Sequence, residues 1–419
     1  MKNKIFLGFI FLMILPFVAQ SQGYTEASKG DTLFSKGAYF QAIGFYKKAT
    51  ELTTDTVEKC RCKKQLAKCY TALNALDEAE LLYKDIIQTC KTDLVDLRNF
   101  ARTLQKAGEY DKAKRIYASC YHADTTDRFS YENMYFCDTA KQAIDRLTEV
   151  YLENVRQVNS EYDDVLNEVN NDTLYFLSAR KGTKSDKRLM NNDQYPFRMY
   201  RWAETLHEKP TIYSTTGDGF TSTDSDEEEV FFSKIEPRKN DPVLTRTVIY
   251  RSKKTEMGLS NPLKFGFDDD SSAFGHPNLS PDGSMFFFVS DMPGGFGGMD
   301  LYLCRKTGSK WSSPINLGSE VNTPDNELFP FYLGQGMLLF SSNGHAGFGG
   351  YDVYSSTLKR DKWTKAQNAS LPINSKGDDM ALRCDKTKKT FYLTSNRANG
   401  NGGLDIYRIQ QFKIMDLRK

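Results

Sequence analysis

Histidine is scarce in this 419-residue chain. The four present, His122, His207, His276 and His345, stand in no HExxH or comparable metal-ligand spacing. There is no GxSxG elbow, no P-loop and no GxGxxG ahead of a helical stretch. The sequence therefore offers no catalytic residue, and neither cofactor nor metal is expected. Net charge is also lacking: 56 Lys and Arg against 54 Asp and Glu leave +2. No general field favours nucleic acid or an acidic membrane surface. After the apolar stretch Ile5 to Ala19 no second run of membrane-spanning length appears, and no Cys follows it to carry a lipid anchor.

That apolar stretch, preceded by Met1 to Lys4 and followed by Gln20 to Gln22, has the charged, apolar and polar parts of a secretory signal peptide over residues 1–22. A retained membrane anchor is the competing reading, for which the run is short. The expectation is an exported protein, soluble once cleaved. Of eight cysteines, six (Cys60, Cys62, Cys69, Cys90, Cys120 and Cys137) fall between residues 60 and 137, whereas Cys304 and Cys384 stand apart. In an oxidising compartment the six suggest disulfides, with connectivity left open by their spacing. Cys60, Cys62 and Cys69 lack the paired CxxC spacing of a zinc site.

What is abundant is repetition. The stretch SDMPGGFGGMDLY (Ser290 to Tyr302) returns as SSNGHAGFGGYDVY (Ser341 to Tyr354) and SNRANGNGGLDIY (Ser395 to Tyr407). Asp300, Asp352 and Asp405 follow at steps of 52 and 53 residues, a period that belongs to propellers or solenoids. Each copy joins two strand-length apolar runs through a glycine-rich turn. Two weaker runs, LYFLSA and EVFFSK, extend the series: Ser178, Ser233, Ser290, Ser342 and Ser395 are spaced by 55, 57, 52 and 53. Within the third unit, Phe274 to Leu279, a Ser280 to Gly283 turn, Met285 to Ser290, Met299 to Arg305 and a strand after Trp311 make four strands. Four strands per unit, repeated radially five times, predict a five-bladed β-propeller over residues 155–419.

Residues 23–150 carry a helical period instead. Ala42, Ala79 and Ala113 lie 37 and 34 residues apart, the interval of tetratricopeptide repeats, whose small residues let paired helices approach and stack into a superhelix. First helices are predicted at Ala27 to Lys36, Lys59 to Leu73 and Leu94 to Lys106, with a capping helix at Asn133 to Glu149. The expected fold is thus multidomain, an all-α tetratricopeptide superhelix followed by an all-β propeller. A groove that takes a partner's helix or peptide is the functional reading of the helices; a rigid spacer is the alternative.

The turn residues Asp300, Asp352 and Asp405, with Gly298, Gly350 and Gly403, are the candidate site residues. An Asp recurring at one place in every blade reads as an acceptor for backbone N–H groups of its own turn, with cation binding the competing use. The run Asp224 to Glu229 reads as a solvated acidic loop.

The units FGHPNLSPDGSMFFFVSDMPGGFGGMDLYLC and ELFPFYLGQGMLLFSSNGHAGFGGYDVY, with the connection WSSPINLGSEVNT, resemble the WD40-like PD40 repeats of exported Bacteroidota proteins. There such repeats follow a tetratricopeptide array, as in the PorE-type periplasmic component of the type IX secretion and gliding machinery. The resemblance implies a periplasmic, non-enzymatic scaffold associated with the outer membrane, docking envelope proteins through its groove and propeller faces. PorE-type proteins continue into an OmpA-like domain and this sequence stops at Lys419, so peptidoglycan anchoring is not carried over. The other readings are a propeller hydrolase, which needs acidic or histidine residues from several blades to converge in the central channel, and a glycan or peptide sensor using that channel.

Blade five has three clear strands and only Gln411 to Lys419 left for a fourth. The expectation is that Val155 to Glu161 supplies its outer strand while Asp163 to Val169 opens blade one; the alternative is Phe412 to Leu417.

Overall fold

The computed structural model describes residues 21–35, 37–144, 151–184, 186–187, 194–206, 208–214, 219–223, 229–238, 241–255, 258–265, 271–385 and 390–410. Most of the signal-peptide reading, His207, most of the acidic run and the alternative closing strand Phe412 to Leu417 lie outside these residues. Two compact units are present, one ending at Cys137 and the other built mainly from the chain beyond it.

Seven helices are seen among the described residues: α1 (21–35), α2 (Tyr39–Leu52), α3 (Thr56–Ala72), α4 (Leu76–Thr89), α5 (Leu94–Lys106), α6 (Tyr110–Ala123) and α7 (Arg128–Ile144). The second helix of each pair buries the same triplet at i, i+4 and i+7: Ala42, Tyr46 and Ala49; Ala79, Tyr83 and Ile86; Ala113, Tyr117 and Cys120. A small residue followed by a Tyr one turn on sets one helix close while filling the gap beside it. Between the helices of each pair the chain turns through a left-handed residue, Gly37, Asn74 and Gly108, at φ 71°, 58° and 82°. There the next N–H reaches back five residues, as from Ala38 to the Leu33 carbonyl and Ala75 to the Tyr70 carbonyl, which closes the helix end. Asp55 caps α3, and Asp93 with Asp96 forms a reciprocal capping box on α5. The capping helix begins at Arg128, five residues before the expected start. Its Asn133 accepts from Gln105 Nε2 (3.1 Å), whose Oε1 accepts from the Tyr117 hydroxyl (2.7 Å). A disulfide joins Cys60 to Cys90, while Cys62, Cys69, Cys120, Cys137, Cys304 and Cys384 are buried thiols.

The second unit is a five-bladed β-propeller. Its inner strands are Asp164–Asn170, Thr221–Thr223, Phe274–Leu279, Glu327–Gly334 and Asp379–Cys384. Each is the first strand of an antiparallel sheet of four or five strands. Blades one and two, which lack the glycine loop in sequence, form the same sheets. Aromatic and aliphatic side chains of facing sheets fill the space between blades: Phe231, Phe265, Phe286 and Phe288 between two and three, Leu338, Phe340 and Tyr354 with Phe287 between three and four.

The ring closes through the N-terminal side of the propeller, at a different place from that expected. The outer strand of blade five is Tyr151–Asn154, pairing Leu152 with Ile409 and Asn154 with Tyr407. The predicted segment Val155 to Glu161 is instead a turn, because Val155 and Val158 are drawn into the core between blades five and one with Leu166, Phe176 and Ile406. The Val158 and Asn159 N–H groups both return to the Val155 carbonyl. The propeller therefore begins before residue 155.

Candidate functional site

The repeated aspartates each lie at the start of a blade's third strand, 1% exposed or less. One carboxylate oxygen of each accepts a backbone N–H four residues back in its own glycine loop: Phe296 to Asp300 (2.6 Å), Phe348 to Asp352, and Asn401 to Asp405. Asn316 Nδ2 adds a second bond to Asp300 (2.8 Å), and Asn154 Nδ2 the equivalent one to Asp405 (3.2 Å). The other oxygen of each has no hydrogen-bond partner among the described residues. Burial, with the neighbouring Asp379 charge, holds the Asp352 carboxyl well above its ordinary range; burial does the same to a lesser degree at Asp405. The three sit in different blades. Among the described residues no group of three His, Cys, Asp or Glu could hold a metal ion.

The glycine loops press on the segment that leads into the next blade. A Cβ at Gly349 would lie 2.3 Å from the Lys376 and Gly377 carbonyl oxygens, and one at Gly402 2.5 Å from that of Tyr162. Only a residue without a side chain fits there. Gly298 and Gly350 donate to the Asp325 and Gly377 carbonyls of that segment, and Gly403 abuts the Asp163 carboxylate.

That leading segment is itself a repeat, which the sequence reading missed. Val158-Asn159-Ser160, Val321-Asn322-Thr323 and Ile373-Asn374-Ser375 are each followed by a polar pair, Asp163-Asp164, Asn326-Glu327 and Asp378-Asp379. The Asn exchanges two hydrogen bonds with the backbone of the preceding blade's third strand, at Ile406, Leu301 and Val353 respectively. The first acid or amide of the pair accepts from the N–H of Leu404, Met299 or Tyr351. The second, a buried carboxylate, folds back on the hydroxyl and N–H of its own Ser or Thr. In blades one and five an Arg two residues past the aligned serine completes the cluster, Arg180 on Asp164 (2.6 Å) and Arg397 on Asp379 (2.5 Å). Blade four has Gly344 at that place, and without a cation burial pushes Glu327 up to about 7, against the hydrogen bonds from Ser342 and Thr323. The signal was visible in WSSPINLGSEVNT, which returns in altered form around residues 154–160 and 368–375.

At the axis the inner strands of blades three to five bulge at their third residue. His276, Phe329 and Ala381 hold φ 47°, 54° and 51° there, a conformation costly for residues with a Cβ. The ladder slips at each of these points. His276 stacks on Phe329 at 4.2 Å between ring centroids, with Phe220 edge-on at 4.6 Å. His276 Nδ1 accepts the Phe329 N–H, and burial, with the Arg383 charge, pushes the ring down to about 3. It is a neutral acceptor that joins two blades. Two cavities, each about 380 Å³, lie along the inner strands. One is apolar and takes in His276, Phe220 and Phe329; the other is of mixed lining and takes in Arg383, Asn167 and Asn278 beside Val169, Leu279 and Phe331. Glu168 and Asp385 also line this second cavity. Asp385 accepts the Thr390 N–H (3.1 Å) in its own turn. His345 lies away from the axis in the loop of blade four, its Nε2 2.8 Å from the Val321 carbonyl.

No known family profile matches the chain. No curated protein matches it either. Solved structures do. A tetratricopeptide-containing domain of a putative FK506-binding protein from Plasmodium falciparum is 15% identical at TM-score 0.28, covering 31% of this chain and 94% of that domain. A protein of unknown function from Dyadobacter fermentans is 11% identical at TM-score 0.36, over 59% of this chain and 75% of its own. A gluconolactonase from Xanthomonas campestris is 12% identical at TM-score 0.37, over 63% and 90%. At these values the likenesses carry no argument about activity.

Proposed function

We propose that this protein is a non-enzymatic scaffold of the cell envelope, docking other envelope proteins through its helical repeats and its propeller faces. The observation that carries the reading is the use to which the repeated polar residues are put. The asparagines and acids that recur from blade to blade bond to backbone and hydroxyls of their own or the adjacent blade, which is the chemistry of holding a ring together. The helical unit, in turn, leaves large apolar side chains exposed, among them Phe40 and Leu81 at 62% and 68%, of the kind that anchor a partner. A periplasmic location, near the outer membrane, is supported by the signal-like residues 1–22 and by the Cys60–Cys90 disulfide, since such bonds persist in oxidising compartments. Among the described residues no helix is long and apolar enough to cross a membrane. Assignment to type IX secretion or gliding rests on the resemblance to PorE-type proteins.

Affinity purification of the tagged full-length protein from its native envelope, with mass spectrometry of what is retained, tests the proposal. Reproducible capture of envelope proteins, lost when Phe40 and Leu81 are both changed to Ser, is the expected result. Capture that is indifferent to those changes and lost only with changes on the propeller would make the helical unit a spacer. Failure to retain any envelope protein would overturn the scaffold reading.

A further inference from the structure

Arg383 is 6% exposed at the propeller axis, and no ion pair among the described residues involves it. Its Nε donates to the Asn167 carbonyl (3.1 Å) and its Nη1 to the Phe329 and Leu382 carbonyls (3.3 and 3.2 Å). These bonds span blades one, four and five, yet they leave Nη2 without a hydrogen-bond partner among the described residues. A buried cation whose hydrogen bonds all go to neutral carbonyls is costly, and the nearby Glu168 charge offsets that burial only in part. Blades one and five supply Arg180 and Arg397 with carboxylates within 2.6 Å; Arg383 has none at that range.

The cavity that Arg383 lines takes residues from all five inner strands and holds about 380 Å³, the scale of a small-molecule site. Two of its other polar groups, Asn278 and Ser222, also present donors. Asn278 uses Oδ1 to accept the Tyr332 N–H (2.8 Å), which leaves its Nδ2 over. Ser222 Oγ accepts the Leu279 N–H (2.9 Å), leaving its own proton to give. Guanidinium, amide and hydroxyl donors on one lining, from blades five, three and two, suit an anion. The carboxylates of Glu168 and Asp385 on the same lining set a limit: like-charge repulsion weighs more heavily against a dianion than against a monoanion.

We propose that this axial cavity binds a small hydroxylated monocarboxylate, on the scale of a sugar acid, with its carboxylate on Arg383 and Asn278. The inference does not depend on the scaffold reading, since a propeller can hold a ligand at its axis and dock proteins elsewhere.

Isothermal titration of the full chain with glucuronate, lactate, glucose and inorganic phosphate at pH 7.5 tests it. Saturable binding of glucuronate is expected, with glucose silent and phosphate about tenfold weaker or worse. The variant Asn278→Asp keeps the acceptor that Tyr332 needs while setting a second negative charge beside the ligand, and it should weaken glucuronate about tenfold or more. Arg383→Met should abolish binding; if it fails to fold, Asn278→Asp decides alone. No saturable binding by either carboxylate, equal binding of phosphate, or unchanged affinity in Asn278→Asp would each overturn the proposal.

Discussion

Asn322 and Leu301 exchange two hydrogen bonds across a blade boundary: the Leu301 N–H donates to Asn322 Oδ1 (2.8 Å) and Asn322 Nδ2 donates to the Leu301 carbonyl (3.0 Å). A side-chain amide thereby acts as one more residue of the strand, giving the buried Leu301 N–H its acceptor and sharing the carbonyl with the Leu317 N–H (3.1 Å). Asn374 does the same for Val353, and Asn159 for Ile406. Asn322→Ala leaves the buried Leu301 N–H without a partner, while the Leu301 carbonyl keeps the Leu317 N–H (3.1 Å), and is expected to cost about 1–3 kcal/mol. Urea unfolding of the variant measures this; a loss below about 1 kcal/mol would show that water replaces the amide.

Asp352→Ala is expected to cost less, about 1–2 kcal/mol, because the lost acceptor serves mainly the Phe348 N–H. Asp352→Asn, which keeps that acceptor without a charge to bury, should recover most of the loss. A thermal melt identical for wild type and Asp352→Ala would remove Asp352 from the elements that hold the loop.

The architecture was legible because it is written in periods. Alanines at 37 and 34 residues and aspartates at 52 and 53 report stacking units whatever the individual side chains do. Blades one and two, with no glycine loop, were placed by their apolar runs alone. The linker repeat was harder to see, since its carboxylate alternates between Asp and Glu, its pair between Asp and Asn, and its function lies across the boundary between units. The axial residues repeat in position but not in identity. Asn278 and Arg383 hold the same place, fifth in the inner strands of blades three and five, but they are different residues, and only the closed ring brings them together. The closing strand was displaced by a few residues because Val155 and Val158 read equally well as strand or as buried turn.

Glu327 makes stability depend on pH. Its carboxyl ordinarily titrates near 4.5 and is pushed up to about 7 by burial. Between those values the folded protein keeps a proton that the unfolded chain releases. The contribution is therefore full below pH 4.5 and is lost as pH rises through 7. His276, pushed down to about 3 from 6.5, runs the other way: the unfolded chain gains the proton as pH falls below 6.5, so stability falls with it. The two oppose each other in the wild type, and a variant separates them. Glu327→Gln, whose amide can face the Thr323 and Ser342 hydroxyls while Oε1 accepts the Thr323 N–H, should gain on wild type by on the order of 3 kcal/mol between pH 4 and pH 8. Parallel stability curves for the two proteins would show that Glu327 does not carry this linkage.

The Cys60–Cys90 bridge closes a 30-residue separation within the second helix pair, from α3 to the end of α4. In the chain-entropy account that constraint is worth about 3–4 kcal/mol. Replacing both cysteines with Ser is expected to lower the helical unit's transition and leave the propeller's where it was, since the bridge lies within the first unit alone. Calorimetry resolves the two transitions; a fall confined to the propeller would contradict the assignment.

Ring closure gives the sharpest test of the fold. The third strand of blade five, Asp405–Gln410, is already paired on its outer side by Tyr151–Asn154, so that side offers no edge for another chain to join. Asn154 binds Asp405 and Asn159 as well as lying in the ladder, and Leu152 packs against the core that holds Leu333, Phe391 and Ile409. Deleting residues 411–419 is therefore expected to leave a monomer that unfolds cooperatively. Leu152→Asp, by contrast, sets a charge against that core and loosens the strand, which should cost about 2–3 kcal/mol and expose the edge of Asp405–Gln410 to pairing with other copies. Size-exclusion chromatography with light scattering, run beside denaturant unfolding, reads both effects. If the deletion aggregates while Leu152→Asp stays monomeric and stable, closure runs through the C-terminal residues and the N-terminal strand is an accessory.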